Sequence, residues 1–199
     1  MRLFVAIPLG AVVRDAILQE QRRLARELDA AARQPRWATP EQMHLTMAFI
    51  GHVAEGKMEG VLAAMSSAFD QAPFEIGVGG HGVFPSHGAP RVWWLGISQG
   101  GTELAALQTR VTARLRAADI PFDEKPFHPH VTLARWRDSR PSDRRAVSRV
   151  RDAQGHTPPV LARQRVDSVS LYNSQLPSGR GAGGRGPTYT ALAHVPLAC

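Results

Sequence analysis

The chain has 199 residues, 43% of them hydrophobic and 21% charged, and a formal net charge of +7 from 24 Lys and Arg against 17 Asp and Glu. This composition is typical of one soluble globular domain, and no apolar run approaches the ~20 residues that a membrane helix needs. The excess of arginine favours a phosphate or nucleic-acid partner, because a guanidinium pairs with phosphate oxygens, although a biased amino-acid usage would give the same composition.

The N-terminal part of the chain predicts a strand, a helix and a second strand. RLFVAI at 2–7 has the apolar character of a buried strand, and we expect a cytoplasmic protein because no secretory cleavage signal follows it. The only cysteine is Cys199, which excludes an intramolecular disulfide. HLTMAFIGHV at 44–53 predicts the second strand. Between them, residues 11–32 predict an amphipathic helix whose apolar stripe is Val12, Ile17, Leu24 and Leu28.

The middle of the chain predicts two helices that flank a hairpin. Residues 55–72 have a helical pattern that Pro73 closes. Two strands at 74–85 and 91–97 are separated by SHGAP, whose Gly and Pro are typical of a turn. Residues 102–120 predict a helix with an apolar stripe of Leu104, Leu107, Val111 and Leu115.

The C-terminal part predicts three strands and one helix. FHPHVTLARW at 127–136, residues 163–175 and residues 187–197 are the strands, and residues 142–153 are the helix. The segment SGRGAGGRG at 178–186 has two interpretations, a flexible loop or an RNA-contacting arm that uses Arg180 and Arg185. It is not a dinucleotide-binding loop, because no strand leads into it and no helix follows.

A His-x-Thr tripeptide occurs twice, at His44 to Thr46 and at His130 to Thr132, each time within a predicted strand. Side chains two residues apart in a strand share a face, so each strand presents an imidazole and a hydroxyl together. The order of strand, helix and His-x-Thr strand also repeats along the chain. We therefore expect an α+β fold of two pseudo-symmetric lobes, with antiparallel sheets flanking a central cleft and helices on the outside, formed as a single domain by residues 1–199.

Two imidazoles and two hydroxyls in one cleft suit the cleavage of a phosphodiester. One imidazole can accept a proton from the nucleophile and the other can protonate the leaving oxygen, because the pKa of histidine lies near neutrality. The threonine hydroxyls can donate hydrogen bonds to the charged phosphate oxygens. This scheme requires neither a metal nor a cofactor, and no phosphate-binding loop for ATP is present in the sequence.

With both motifs in view, the sequence resembles the two-histidine (2H) phosphoesterases, and within them the bacterial and archaeal RNA 2′,3′-cyclic phosphodiesterases, also called 2′-5′ RNA ligases. The likeness extends over nearly the whole chain: RLFVAI, Trp37 ahead of HLTMAFIG, GVFP with RVWWLGI, PHVTLAR, LYNSQL and Tyr189. It implies metal-independent hydrolysis of an RNA or nucleotide 2′,3′-cyclic phosphate to a 2′-phosphomonoester. It also implies that the reverse chemistry could join RNA ends in a 2′-5′ linkage.

The resemblance carries residue roles over to this sequence. It implies that His44 and His130 are catalytic and that Thr46, Thr132 and Arg135 bind the substrate. Our hypothesis assigns His130 as the base and His44 as the acid, with the reverse assignment open. Arg135 lies an odd number of residues from His130, so strict alternation places it on the opposite face, and a bulge or the strand end must intervene if it reaches the ligand.

Several alternatives remain at this stage. His128 with His130 and His44 could imitate a zinc site, although no carboxylate or thiol cluster lies nearby in sequence. Phe4, Trp37 and Phe84 could stack on a base or simply pack in a core. The substrate could instead be ADP-ribose 1″,2″-cyclic phosphate or a 2′-5′ oligoadenylate. A protein of another class, a non-catalytic module that binds RNA ends, would need no pair of histidines. We expect a monomer that acts without a membrane.

Overall fold

The computed structural model describes residues 1–28, 32–152, 160–176 and 186–198, with the backbone alone described at Arg151 and Asp152. Most of the Gly and Arg segment, with Arg180 and Arg185, and Cys199 lie outside the described residues. The helices found in the described part are α1 (Ala11–Glu27), α2 (Met58–Ala64), α3 (Gly101–Ala117) and α4 (Pro141–Asp152). The strands are β1 (Arg2–Pro8), β2 (Arg36–Trp37), β3 (His44–His52), β4 (Phe69–Asp70), β5 (Phe74–Phe84), β6 (Val92–Gln99), β7 (His130–Arg135), β8 (Val160–Val166), β9 (Ser168–Gln175) and β10 (Thr188–Ala198).

The strands form one sheet in the order β4-β10-β9-β1-β3-β7-β6-β5-β8, with β2 paired to β7. All pairings are antiparallel except that of β4 with β10. The predicted repeat appears as β1-α1-β3 in the first half and β6-α3-β7 in the second. The halves meet edge to edge at β3 and β7, where the pair Leu45 and Val131 joins them. The fold is therefore α+β with mainly antiparallel strands, as the sequence predicted, and the strands of both halves join in one large sheet.

The sheet is strongly curved. The sequence predicted one strand over residues 163–175, but the structure has two, β8 and β9, separated by Asp167 alone. β8 pairs with β5 at one end of the sheet, whereas β9 pairs with β1 and β10 in the other half. A one-residue connection can join such distant places in the strand order only if the ends of the sheet approach each other. An alternating apolar pattern shows that a segment is extended and does not show where it changes partner.

Each half of the sheet is covered by the long helix of the other half. Helix α1, which connects β1 to β3, packs with Ile17 and Leu24 in the core under β6 and β7. Helix α3, which connects β6 to β7, packs with Leu107 and Val111 in the core under β1 and β3. The predicted stripe of α3 is fully buried along its length. The two halves are thus interlocked, because neither half contains the helix that covers its own apolar face.

Two helix predictions require correction. In α1 the buried stripe begins at Val13, and Val12 is 75% exposed because it lies one residue, or about 100°, away from that stripe. The helix ends at Glu27, before the predicted end at residue 32. The predicted helix at 55–72 shortens to a 3-10 turn followed by α2, and the chain then forms β4. There, Phe69 is buried and Leu197 of β10 pairs with it, so tertiary contacts override the helical pattern.

Among the described helices, none is both long enough and apolar enough to span a membrane.

Candidate active site

The two His-x-Thr motifs lie side by side where the halves of the sheet meet. Leu45 and Val131 pair directly and are fully buried on the helix side. In an antiparallel register this pairing sets His44 across from Thr132 and Thr46 across from His130. All four side chains are half-buried on the opposite face of the sheet. The structure therefore brings together the four polar residues that the sequence placed in one cleft.

A bulge follows each motif at the same position. On β3 the register with β1 skips Met47, and on β7 the register with β6 skips Leu133. In both strands the two residues after the threonine are buried: Met47 and Ala48, and Leu133 and Ala134. Gln21 of α1, itself buried, secures the second bulge by donating a 3.0 Å hydrogen bond to the carbonyl of Leu133. A bulge shifts the alternation of side chains by one residue, and it does so alike in both halves.

The second bulge explains how Arg135 reaches the site. With the alternation shifted, Arg135 emerges on the same face as Thr132, and its Nη2 lies 3.4 Å from Thr132 Oγ1. The guanidinium is exposed. The sequence could state only that a bulge or a strand end was required, and β7 has both, because Arg135 is also its last residue.

Both histidines are held by the main chain in the same way. His44 Nδ1 lies 2.8 Å from the carbonyl oxygen of Gln42, and His130 Nδ1 lies 2.7 Å from the carbonyl oxygen of His128. A carbonyl can only accept, so each Nδ1 carries the hydrogen and donates it. In the neutral imidazole Nε2 is then the basic nitrogen, which is available to take a proton from a bound molecule.

The pKa of His44 is lowered to about 4, mainly by burial; the hydrogen bond to the Gln42 carbonyl opposes this shift, and the nearby charges of Arg135 and His130 add to it. Burial also lowers the pKa of His130, which the charges of His128 and Arg135 reinforce. Both imidazoles are consequently neutral at pH 7 when the cleft is empty. An anion placed between them would stabilise the charged forms and raise both pKa values.

Aromatic rings support the two imidazoles. The ring of Phe4 lies 4.9 Å from that of His44, and the ring of Tyr189 lies 5.1 Å from it. On the other side, Phe84 lies 5.1 Å from His130, and Trp94 lies 6.1 Å from it. These centroid distances are those of aromatic pairs in contact. The rings pack around each imidazole and hold it in place.

The aromatic residues weighed as base-stacking candidates differ in position. Phe4 is 3% exposed and belongs to the packing beneath His44. Phe84 is half-buried and contacts both His128 and His130. Trp37 packs against Trp93 at 5.8 Å but also lines a cavity beside His44.

That cavity has about 490 Å³ of empty space, which includes the open solvent at its mouth. Its lining includes Arg36, Gln42, His44, Thr132, Arg135 and Tyr189. Within the described residues, no group of three or more His, Cys, Asp or Glu side chains is placed to hold a metal ion. His128 is exposed beside Trp94 at a ring distance of 4.8 Å.

Gln42 and Tyr189 were missing from the predicted site. The carbonyl of Gln42 anchors His44, its Oε1 accepts from the amide of Thr39, and its Nε2 donates to the carbonyl of Pro187 at 3.0 Å. The Thr-x-x-Gln spacing from Thr39 is a capping box that the sequence does display. No comparable signal places Tyr189 beside His44, because β10 reaches the site only through its neighbours β9 and β1.

Comparison with known proteins links this geometry to a family. The family described as the 2′-5′ RNA ligase superfamily matches residues 14–176. An RNA 2′,3′-cyclic phosphodiesterase of Thermus thermophilus is 33% identical, with 99% of this chain and 90% of that protein aligned. One of Geobacillus stearothermophilus is 28% identical over 98% of this chain, which spans only 56% of that protein's length.

A solved structure has the same fold. The crystal structure of Escherichia coli LigT complexed with 3′-AMP superimposes with a TM-score of 0.68 at 27% identity, covering 98% of this chain and 96% of that one.

Proposed function

We propose, from the premise that this chain belongs to the 2′-5′ RNA ligase superfamily, that it hydrolyses the 2′,3′-cyclic phosphate of an RNA end or nucleotide to a 2′-phosphomonoester. The observation that carries the proposal is the pairing of two His-x-Thr strands at β3 and β7. This pairing puts two neutral imidazoles and two hydroxyls on one face of the sheet. The name of the Thermus relative supports the same substrate and reaction, and the 3′-AMP bound to LigT supports the binding of a nucleotide phosphate by this fold.

The proposed reaction requires that one proton is removed from the attacking water and that another is donated to the leaving oxygen. His130 Nε2 accepts a proton from water as the water oxygen attacks phosphorus, and the bond from phosphorus to the 3′ oxygen breaks. Protonated His44 Nε2 donates its proton to that departing oxygen. Thr46, Thr132 and Arg135 donate to the non-bridging oxygens, whose charge increases in the transition state. Binding of the anionic substrate supplies the rise in pKa that lets His44 carry its proton.

The test is hydrolysis of adenosine 2′,3′-cyclic phosphate in EDTA, with the product identified as the 2′ or 3′ monophosphate. His44→Ala and His130→Ala should each lower kcat by roughly 10²–10⁴-fold, the usual contribution of a general acid or base. His128→Ala is the matched control, because it removes a neighbouring imidazole but keeps the main-chain carbonyl that anchors His130. Wild-type activity in all three variants, or a loss confined to His128→Ala, would contradict the mechanism.

A sulfur substitution separates acid from base. When a bridging sulfur replaces the 3′ oxygen, the thiolate leaves without a proton, so the general acid is no longer needed. The substrate with the 3′ sulfur should restore the rate of His44→Ala and leave His130→Ala inactive. Rescue of His130→Ala instead would reverse the two roles.

The same assay defines the substrate. ADP-ribose 1″,2″-cyclic phosphate and a 2′-5′ oligoadenylate should turn over more slowly than an RNA cyclic phosphate. Joining of a cyclic phosphate end to a 5′ hydroxyl end would show that the reverse reaction also occurs. RNA binding without turnover of any of these would favour a binding module.

We further propose that the whole chain acts as one two-lobed domain and as a monomer, because one chain supplies every residue of the site. Light scattering of the purified protein tests the monomer. An RNA substrate also fits action in the cytoplasm.

A further inference from the structure

Two arginines lie directly opposite each other beside the candidate active site. Arg36 on β2 pairs with Arg135 on β7, and the next pair along is Trp37 with Ala134. Residues paired across antiparallel strands have Cα atoms about 5 Å apart and side chains on the same face. Both arginines are exposed, and both line the cavity next to His44.

This pair of cations has no anionic partner in the described part of the chain. Arg135 contacts Thr132, and Arg36 has neither an ion pair nor a side-chain hydrogen bond among the described residues. Like charges directly opposite each other in a sheet are destabilising. Two adjacent unneutralised guanidiniums in a cavity are therefore best explained by anions that bind there.

The two guanidiniums serve different parts of the cavity. Arg135 reaches toward Thr132 and the paired motifs, where the cyclic phosphate would react. Arg36 lies against the segment that leads into β10, since a Cβ added to Gly186 would collide with Arg36 Nη2 and Gln42 Nε2. The cyclic phosphodiester carries one negative charge, which Arg135 can balance. Arg36 remains for a second anion.

We propose that Arg36 binds the phosphate on the 5′ side of the terminal nucleotide, so that the cavity selects an RNA end over a nucleoside cyclic phosphate without a 5′ phosphate. The inference rests on the proposed function, because it takes the cyclic phosphate to lie at the paired motifs. At an RNA 3′ end this 5′ phosphate is the nearest other anion to the reacting group, only one ribose away. A nucleobase that stacked on the guanidinium of Arg36 would leave its charge unbalanced, whereas a phosphate neutralises that charge.

The experiment compares adenosine 2′,3′-cyclic phosphate with and without a 5′ phosphate. For the wild type, kcat/KM should be higher for the 5′-phosphorylated substrate. Arg36→Ala should lower this preference about tenfold, as expected for one charge-assisted hydrogen-bonded contact, and Arg36→Lys should keep part of it. Arg110→Ala, an exposed arginine on α3 behind the sheet, should leave the preference at the wild-type value.

Salt dependence gives a readout that a structural role of Arg36 would not change. For a dinucleotide ending in a cyclic phosphate, the slope of log(kcat/KM) against log[NaCl] should become shallower by about 0.7 in Arg36→Ala, the change expected for one lost phosphate contact on a single strand. An unchanged slope would contradict the proposal.

The other outcomes are also decisive. An equal loss on both adenosine substrates would mean that Arg36 acts on the nucleoside or the cyclic phosphate, and unchanged kcat/KM on both in Arg36→Ala would mean that it contacts neither anion; each overturns the inference. If the wild type hydrolyses neither substrate, the proposed function fails. The inference is then decided by affinity for the unreactive ligands adenosine 2′-monophosphate and adenosine 2′,5′-bisphosphate. Tighter binding of the bisphosphate that Arg36→Ala abolishes would support it, and equal affinities would overturn it.

Discussion

His44 and His130 are both neutral in the empty cleft, because burial lowers the pKa of each below the ordinary value of about 6.5. They differ in that His44 is the more perturbed, with a pKa of about 4. A neutral imidazole is ready to act as a base but must gain a proton before it can act as an acid. The proposed mechanism therefore depends on the bound substrate to raise the pKa of one of the two histidines, so that this imidazole becomes protonated.

This dependence predicts the pH profile. The pH dependence of kcat/KM reports the ionisation of the free enzyme, in which both histidines have a lowered pKa. We therefore expect kcat/KM to have its optimum below pH 6.5 and to fall about tenfold for each pH unit above the higher of the two pKa values. The descending limb of kcat should lie at higher pH, because the bound phosphate raises the pKa of the proposed acid. Measurement of both constants from pH 4 to 9 checks this. A kcat/KM that stays level or rises between pH 6.5 and 8 would contradict it.

At the scale of elements, the packing of β5 against β6 controls the surroundings of His130. Gly82 on β5 pairs with Trp94 on β6, and a Cβ added to Gly82 would overlap the indole ring. That ring contacts His128 and lies 6.1 Å from His130. The absence of a side chain at Gly82 thus allows the indole of Trp94 to lie where it forms one wall of the site.

Gly82→Ala should displace Trp94, lower the free energy of unfolding by about 1–3 kcal/mol through overpacking, and reduce kcat. Gly60→Ala is the control, because Gly60 is an exposed glycine of α2 with open space around it, and alanine should stabilise that helix by up to about 1 kcal/mol. Urea titrations and kcat of both variants provide the measurements. Wild-type stability and kcat in Gly82→Ala would show that Trp94 does not support the site.

The sequence predicted most elements and the polar face of both motif strands. Alternation placed His44 and Thr46 on one face and Leu45 on the other, and burial agrees. It could not predict the bulge that turns Arg135 toward Thr132, because a bulge is defined by the register with a partner strand. Nor could it show that β3 pairs with β7 or that the aromatic ring of Tyr189 reaches His44, since a strand's own residues do not specify its neighbour.

At the scale of the whole molecule, the exchanged helices make the two halves depend on each other. A buried contact reinforces the exchange: Glu20 of α1 accepts a 2.9 Å hydrogen bond from His81 Nε2 of β5. Burial acts to raise the pKa of Glu20, but hydrogen bonds from Arg23 and His81 outweigh it and lower the pKa to about 2. The carboxylate is therefore charged and partnered inside the protein at neutral pH.

Glu20→Ala should lower the free energy of unfolding by about 1–3 kcal/mol, because it leaves the buried His81 ring without its acceptor, while Arg23 keeps Glu27 as a partner. All four tryptophans lie in or beside β2, β6 and β7, so their fluorescence reports one half, whereas circular dichroism also reports α3 in the other core. The two signals should unfold together in the wild type and shift together in Glu20→Ala. Asp15→Ala, an exposed change on the same helix, should have little effect. Separate transitions would mean that the halves unfold independently.

The main-chain anchors of His44 and His130 bear on how much of the site can change by mutation. Every residue type supplies a carbonyl oxygen, so no side-chain replacement at Gln42 or His128 removes the acceptor that fixes the imidazole. The two halves illustrate this tolerance, because one uses glutamine and the other histidine at the anchoring position, at nearly the same distance. If the side chain of an aspartate oriented a catalytic histidine instead, a single codon change at that aspartate would remove the orientation. The orientation of these two imidazoles is therefore inherited with the course of the backbone, which is why so short a motif is enough to specify it.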